Sequence, residues 1–196
     1  ENRQDLNFLK IDVYFKYLSE WFFPNRMIKA QFNEGNKKIE LKSERMPWHN
    51  VVLAKGYELS VHTARSIPNM TYYYNHASIH LEAFFRLKSS KRKPLQEFLS
   101  DVFHFQYFLT MCTQRYCDID KIEGHFKPTN QRHLVKADIY FISKRYSHHY
   151  KQIRAPSEVL EPYSFFDSKF DQAISIWYSH KNSLEMSLDS YMAAYR

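Results

Sequence analysis

Residues 94–126, PLQEFLSDVFHFQYFLTMCTQRYCDIDKIEGHF, join a helical pattern to a strand pattern without a long linker. Proline fixes φ and lacks an N–H, which suits Pro94 for the first helical position. Past His104 the segment is apolar almost all round, so we expect a helix over 94–112 whose second half is deeply buried, and then a strand over 116–126. The helix shows one apolar stripe at alternating intervals of four and three residues, the period of a face packed on a core: Phe98, Val102, Phe105, Leu109 and Cys112.

The composition indicates a single folded domain of ordinary size. The chain has 196 residues, of which 44% are hydrophobic, enough for a packed core. The sequence contains no run of about 18 consecutive apolar residues, the length that would predict a membrane-spanning helix. The two cysteines, Cys112 and Cys117, are too few for a disulfide framework, so we expect a reduced, cytoplasmic protein with two buried thiols.

Strand patterns precede the central helix. Residues 9–16 alternate between apolar and polar side chains, the period of a half-buried strand, and a short helical turn follows at 19–21. Pro47 opposes a central strand over 46–55, so we expect a loop or a buried edge there. Residues 88–93 are rich in serine and lysine and predict a surface loop. Four further segments show strand patterns: 27–32 and 38–42, paired as a hairpin, 57–67, and 71–87.

Helical patterns close the chain. A strand is predicted around 137–144, and an irregular acidic loop lies near Pro156 and Pro162. The chain begins with strands, contains one long internal helix and ends with helices, and this order predicts the α+β class. We expect a mainly antiparallel β-sandwich or half-barrel with one long internal helix and two C-terminal helices. The two closing helices carry one apolar stripe each: Phe170, Ile174 and Trp177, then Leu184, Leu188 and Tyr191.

Three blocks together resemble the ApeA N-terminal domain family. The first is a strand followed by residues 17–21, YLSEW; the second is the helix block 98–116; the third is the tryptophan-bearing helix and the helix after it, 170–191. The resemblance covers nearly the whole chain apart from 46–87. It implies a β-rich domain over 1–166 that includes the helix 94–112, and C-terminal helices over 167–196 that lead to an effector domain.

The same resemblance implies a function in bacterial anti-phage defence. Such domains precede a HEPN domain, a ribonuclease-type effector of abortive infection, so we expect a sensor of a phage protein that controls an effector on the same chain. HEPN catalysis uses an Arg followed four to six residues later by a His. Arg45 and Arg145 stand too close to the next histidines, and Arg115 stands too far from His125. We therefore expect this chain to be no enzyme and to need no cofactor.

A basic stretch supports a different reading, in which the chain binds RNA. Over 127–154 seven Lys and Arg residues face a single acid, Asp138, and aromatic residues lie between them. Basic residues interleaved with aromatics can follow a phosphate backbone and stack bases. A carbohydrate-binding sandwich with Trp48 or the tyrosines 72–74 as platforms is a third reading. The candidate residues for an anionic partner are Lys144, Arg145, His148, His149, Lys151 and Arg154.

Other chemistry is weakly indicated. His76 and His80 would lie about 13 Å apart along one strand, too far to share a metal ion. The carboxylates Asp118, Asp120 and Glu123 read as charges on an exposed strand rather than as a catalytic pair. We expect the apolar face of the last helix, formed by Leu184, Leu188 and Tyr191, to be partly uncovered, and to contact a following domain or a second copy in a homodimer.

Overall fold

The computed structural model describes residues 7–22, 28–33, 38–43, 49–53, 56–66, 80–128, 133–140, 158–159 and 169–193. The strands in this part are β1 (Asn7–Phe15), β2 (Ile28–Asn33), β3 (Lys38–Ser43), β4 (His49–Leu53), β5 (Tyr57–Ser66), β6 (His80–Pro94), β7 (Ile119–Phe126) and β8 (Val135–Ile139). The helices in this part are α1 (Leu18–Phe22), α2 (Leu95–Thr113), α3 (Phe170–Ser179) and α4 (Lys181–Ala193).

Six strands form one antiparallel sheet in the order β4-β5-β6-β1-β7-β8, and this sheet is not closed. Strands β2 and β3 pair separately as the predicted hairpin. The first strand of the chain therefore lies at the centre, where Val13 pairs with Phe85 of β6 and Ile122 of β7. Its last five residues are all buried. The predicted α+β class with a mainly antiparallel sheet is confirmed.

Helix α2 packs across the middle of this sheet. The rings of Phe85 and Phe105 stack with their centroids 4.1 Å apart, and Phe15 contacts the same Phe105 ring at 5.7 Å. Near the start of the helix, Phe98 meets Tyr57 edge-on at 5.4 Å. All five residues of the predicted apolar stripe are buried. The stripe read from the sequence is therefore the face that the helix turns toward the core.

The boundaries of α2 differ slightly from the prediction. Pro94 has an extended conformation with ψ 154° and is the last residue of β6, so the helix begins at Leu95 rather than at the proline. The residue before a helix keeps non-helical dihedrals, and proline tolerates that position as well. The helix ends where Gln114 turns into the left-handed region with φ 52°.

The predicted surface loop over 88–93 is wrong, because these residues continue β6. Ser89 pairs with Tyr57 of β5, and Lys93 pairs with Phe8 of β1. Ser89 is buried whereas its neighbours Lys88 and Ser90 are exposed. The segment carries small and charged residues where a strand pattern would show apolar ones, so a search for periodicity does not find it.

The uncertain stretch 46–55 contains the edge strand β4. Val51 and Leu53 are buried, whereas Val52 between them is 75% exposed. This alternation explains why three apolar residues in a row fit one strand of an open sheet. The buried-edge alternative is therefore the correct one for the described residues 49–53.

The C-terminal helices close the side of the core around α1. The Trp21 ring lies between Phe108 of α2 at 6.1 Å and Phe170 of α3 at 6.3 Å. Phe170 and Ile174 are fully buried, as their stripe predicts. No helix in the described ranges is long and apolar enough to cross a membrane.

Candidate functional site

The sheet presents its polar side chains on the face opposite α2, which we call the polar face. Strand registers bring these residues into three rows that run across the strands. The first row consists of Glu58, Lys88, Lys10, His125 and Lys136. The second row consists of Ser60, Arg86, Asp12, Glu123 and Asp138. The third row consists of His62, Phe84, Tyr14 and Lys121.

Asp12 is the centre of the first ionic cluster. Arg86 donates two hydrogen bonds to it, from Nε to Oδ1 at 2.6 Å and from Nη2 to Oδ2 at 2.7 Å. His125 Nε2 donates a third to Oδ2 at 2.9 Å. Burial opposes ionisation of this carboxyl, but the bonds from Arg86 and His125 outweigh it and hold its pKa well below the ordinary value. The carboxylate is therefore ionised throughout the physiological range.

Phe84 is the base of a stack beside this cluster. The Arg86 guanidinium lies 5.1 Å from the ring centroid, and the His62 ring lies nearly parallel to it at 5.4 Å. His62 Nε2 shares a hydrogen bond of 2.8 Å with Ser60 Oγ. Burial and the nearby Arg86 charge lower the pKa of His62 to about 4. The imidazole is therefore neutral near pH 7.

Glu123 is the centre of the second ionic cluster. Lys121 Nζ lies 2.6 Å from Oε1, Lys136 Nζ lies 2.7 Å from Oε2, and the Tyr14 hydroxyl donates to Oε2 at 3.1 Å. Burial opposes ionisation of Glu123, yet the two lysines keep its pKa below the ordinary value. Burial and the Glu123 charge raise the pKa of Tyr14. The tyrosine therefore stays protonated.

The sequence reading of the carboxylates near β7 is wrong for two of the three. Asp120 is exposed, but Asp118 and Glu123 are buried. The reason is the topology: β7 lies between β1 and β8, so Glu123 stands opposite Asp12 in the sheet interior. Cations compensate the buried charge of Glu123, one from the same strand (Lys121) and one from β8 (Lys136), and the strand register that brings Lys136 there is not visible in the local pattern.

Asp12, Glu123 and His125 place one ligand atom each within 4.8 Å of one another, which is the spacing of a metal site. The donor set does not fit a metal. Both oxygens of Asp12 already face Arg86, and both oxygens of Glu123 face a lysine ammonium. A divalent cation would have to displace these charged groups. The cluster instead joins three central strands by ion pairs.

A second polar site lies where α2 meets α3 and α4, and we call it the junction. His104 Nε2 donates to the Trp177 carbonyl at 3.2 Å, and Trp177 Nε1 donates back to the His104 carbonyl at 3.1 Å. Their rings stack at 5.0 Å. Asp101 receives the Tyr178 hydroxyl on its carbonyl at 2.7 Å and Lys181 Nζ on Oδ1 at 2.5 Å. Two residues of α2 thus hold both C-terminal helices.

The sequence did not reveal this junction, because His104 shares a narrow polar strip of the helix with Glu97, Ser100 and Asp101, and no local pattern shows its distant partner. His104 is in fact buried against α3. Burial, and then the Asp101 charge, raise the pKa of Tyr178 well above its ordinary value. The signal that the sequence offered was the adjacent aromatic pair, Trp177 and Tyr178, at the end of an amphipathic helix.

An open groove of about 390 Å³ lies beside the junction. Its lining contains both apolar and polar side chains. The residues that line it include Leu99, Phe103, Tyr107, Gln96, Ser100 and Lys181.

Some of the predicted site residues lie outside the described part of the chain, and the others lie on the last helix. Lys144, Arg145, His148, His149, Lys151 and Arg154 lie outside the described residues, as do Trp48, the tyrosines 72–74 and His76. Leu188 is buried within the chain, and Leu184 and Tyr191 are half-buried. Both cysteines are buried thiols outside any disulfide, and burial raises the pKa of Cys117 to about 12, so this thiol is unreactive near neutral pH.

Comparison with known proteins gives one match. No curated protein sequence and no solved structure matches this chain significantly. A family model described as ApeA N-terminal domain 1 matches residues 1–177, which include the central strand, α2 and most of α3. This match confirms the resemblance seen in the sequence, and the chain belongs to the ApeA N-terminal domain 1 family.

Proposed function

We propose that this chain is a non-catalytic sensor and regulatory domain of a bacterial anti-phage defence protein. In this proposal it recognises a phage-derived ligand and controls a HEPN ribonuclease on the same chain. The family assignment indicates a role in an antiviral abortive-infection protein. The ApeA N-terminal domain is a module distinct from the HEPN catalytic domain.

The protonation states on the polar face support a non-catalytic role. Asp12 and Glu123 are held ionised, whereas Tyr14 is held protonated and His62 neutral. General acid–base catalysis needs a group whose pKa lies near the working pH. Each of these four groups is shifted away from neutrality, so the cluster is suited to holding strands together rather than to transferring protons.

The junction is the observation that carries the regulatory proposal. Asp101 binds Tyr178 at the end of α3 and Lys181 at the start of α4, and both lie beyond residue 177, where the family match ends. A shift of α2 would therefore be passed directly to the residues that follow the domain. A continuous chain of packed elements can carry coupling of this kind.

The test of coupling is Lys181→Glu in the full-length protein that carries this domain. The substitution replaces the ion pair with Asp101 by a repulsion, and we expect about tenfold less protection in a phage plaque assay. Lys91→Glu makes the same charge change at an exposed site on β6 and should leave protection unchanged. Circular dichroism of the isolated variants verifies folding. Equal protection by the wild type and Lys181→Glu would contradict the proposal.

Catalysis is tested on the chain itself. We expect the purified 196-residue chain to leave RNA intact, because it lacks the HEPN spacing of Arg and His. RNA cleavage that a single substitution within this chain abolishes would overturn the non-catalytic assignment.

RNA binding by residues 127–154 is the second candidate, which the net charge of +7 favours. Retention on immobilised RNA that falls steeply with salt would support it, because phosphate contacts release counterions. Retention that does not change with the salt concentration would argue against RNA binding.

A further inference from the structure

Among the described residues, strand β8 (Val135–Ile139) lies at one edge of the sheet. In the described part of the chain it pairs with β7 and has no strand on its other side. An edge strand presents a row of backbone N–H and C=O groups that can pair with another strand. Two exposed apolar side chains flank it, Leu134 at 47% and Tyr140 at 91% exposure. This edge therefore offers both hydrogen bonds and apolar surface.

We propose that β8 is a self-association surface, on which a second copy of this chain pairs its own β8 in the antiparallel sense. The two-fold axis passes through Ala137, the middle residue of the strand. The six strands of each copy then form one continuous sheet.

The sequence of β8 is self-complementary in this register. Lys136 stands opposite Asp138 of the partner subunit, and the same pair recurs on the other side of the axis. Val135 stands opposite Ile139 of the partner subunit, and Leu134 opposite Tyr140 of the partner subunit. Opposite charges and apolar pairs directly across two strands are favourable contacts. Every side chain of the strand except Ala137 thus meets a complementary one.

Other registers lose this match. A slip of two residues places Lys136 opposite the same lysine of the partner subunit, or Asp138 opposite the same aspartate. A slip of one residue sets the polar face of one copy beside the helix-covered face of the other. Charges on an edge strand usually prevent association. Here the lysine and the aspartate lie on opposite sides of Ala137, so the two copies attract each other in the register centred on Ala137 and repel each other when the strands slip by two residues.

Both charged residues can reach across the edge. The Lys136 side chain is 53% exposed and the Asp138 side chain 71% exposed. Each also contacts a residue of its own chain, Glu123 at 2.7 Å and Lys121 at 3.3 Å. Those contacts hold the two side chains on the polar face, where the partner subunit would meet them. Because the strand has only five residues, the interface is small and the dimer should dissociate on dilution.

The first test is sedimentation velocity of the chain over a range of concentrations. Asp138→Lys sets two lysines against each other on both sides of the axis, and we expect dimerisation at least about tenfold weaker. The double variant Lys136→Asp with Asp138→Lys restores complementarity and should dimerise again. Val52→Lys is the control, because it introduces a lysine at an exposed position of the other edge strand, β4.

The second test is a crosslink and does not depend on charge. Ala137→Cys brings two thiols together at the axis, within the range that a disulfide spans between opposed strands. We expect a covalent dimer under mild oxidation, while Val52→Cys gives none; the native cysteines are buried and do not interfere.

The outcomes decide the proposal. A wild-type chain that stays monomeric at every concentration and gives no crosslink overturns it, as does an Asp138→Lys chain that is folded and dimerises as well as the wild type. If Asp138→Lys fails to fold, Tyr140→Lys, which changes a residue outside the strand, replaces it with the same expectation.

Discussion

The two faces of the central sheet are held in different ways by alternate residues of the same strands. Beneath α2, Phe15, Phe85 and Phe105 fill the space with aromatic rings. On the polar face, Asp12 and Glu123 are buried among cations and rings. Burial of apolar area stabilises any close arrangement, whereas ion pairs with fixed partners are satisfied in one register. We therefore expect the apolar face to supply most of the stability and the polar face to select the strand pairing.

The largest expected effect is on the apolar face. Phe105→Ala should lower the free energy of unfolding by about 3–5 kcal/mol, because it leaves a cavity under rings that touch it from two strands. Urea denaturation measures this. Phe103→Ala, a half-buried neighbour on α2, should cost clearly less, and equal losses would show that Phe105 is not central.

The polar face should be nearly as sensitive to the loss of one partner. Arg86→Met leaves the buried Asp12 carboxylate without its main counterion, and we expect a loss of about 2–4 kcal/mol because Arg86 is 23% exposed. The double variant with Asp12→Leu should recover part of that loss. If the double variant is less stable than Arg86→Met alone, the charge on Asp12 is not what the arginine compensates.

Gly124 tests how tightly the apolar face is packed. A Cβ at this position would lie 2.3 Å from the Phe8 ring and 2.9 Å from Ile139. Gly124→Ala should therefore cost about 1–3 kcal/mol, because the buried Phe8 ring must move. Thermal unfolding of Gly124→Ala and of the double variant with Phe8→Leu, which creates room, separates steric overlap from a backbone effect.

The smallest effect is a dependence on pH. The pKa of His62 is about 4 in the fold and about 6.5 when unfolded, so the unfolded chain binds the proton more readily. The stability that this neutral histidine contributes is fully present above pH 6.5 and is lost as the pH falls toward 4. Because the site is partly exposed, we expect about 1 kcal/mol.

His62→Gln should flatten the stability of the chain between pH 6.5 and 4. Urea denaturation at several pH values gives this profile. An unchanged pH dependence in His62→Gln would assign the effect to another group.

Features of the fold that depend only on local periodicity could be predicted from the sequence. The apolar stripe of α2, the strand at β1 and the hairpin of β2 and β3 were all visible as periodicity. The extension of β6 through Ser89 was not, since its small and charged residues look like a loop. The same applies to His104, whose partner lies 73 residues away in sequence.

The polar face could not be predicted, because its chemistry is created by registers between distant strands. Asp12 and Arg86 are 74 positions apart, and Tyr14 and Glu123 are 109 apart. In the sequence each is an ordinary charged or polar residue on an alternating strand. Only the sheet order turns them into rows.

The central position of β1 has a consequence for synthesis in the cell. This strand is made before both of its neighbours in the sheet, β6 and β7, and Gly124 of β7 pairs with Ile11. At about 5–20 residues per second, translation of the intervening segment takes several seconds or more. Until β6 is made this strand has neither of its sheet neighbours, and it gains the second only when β7 is made, so the sheet around it is completed late in the synthesis of these residues.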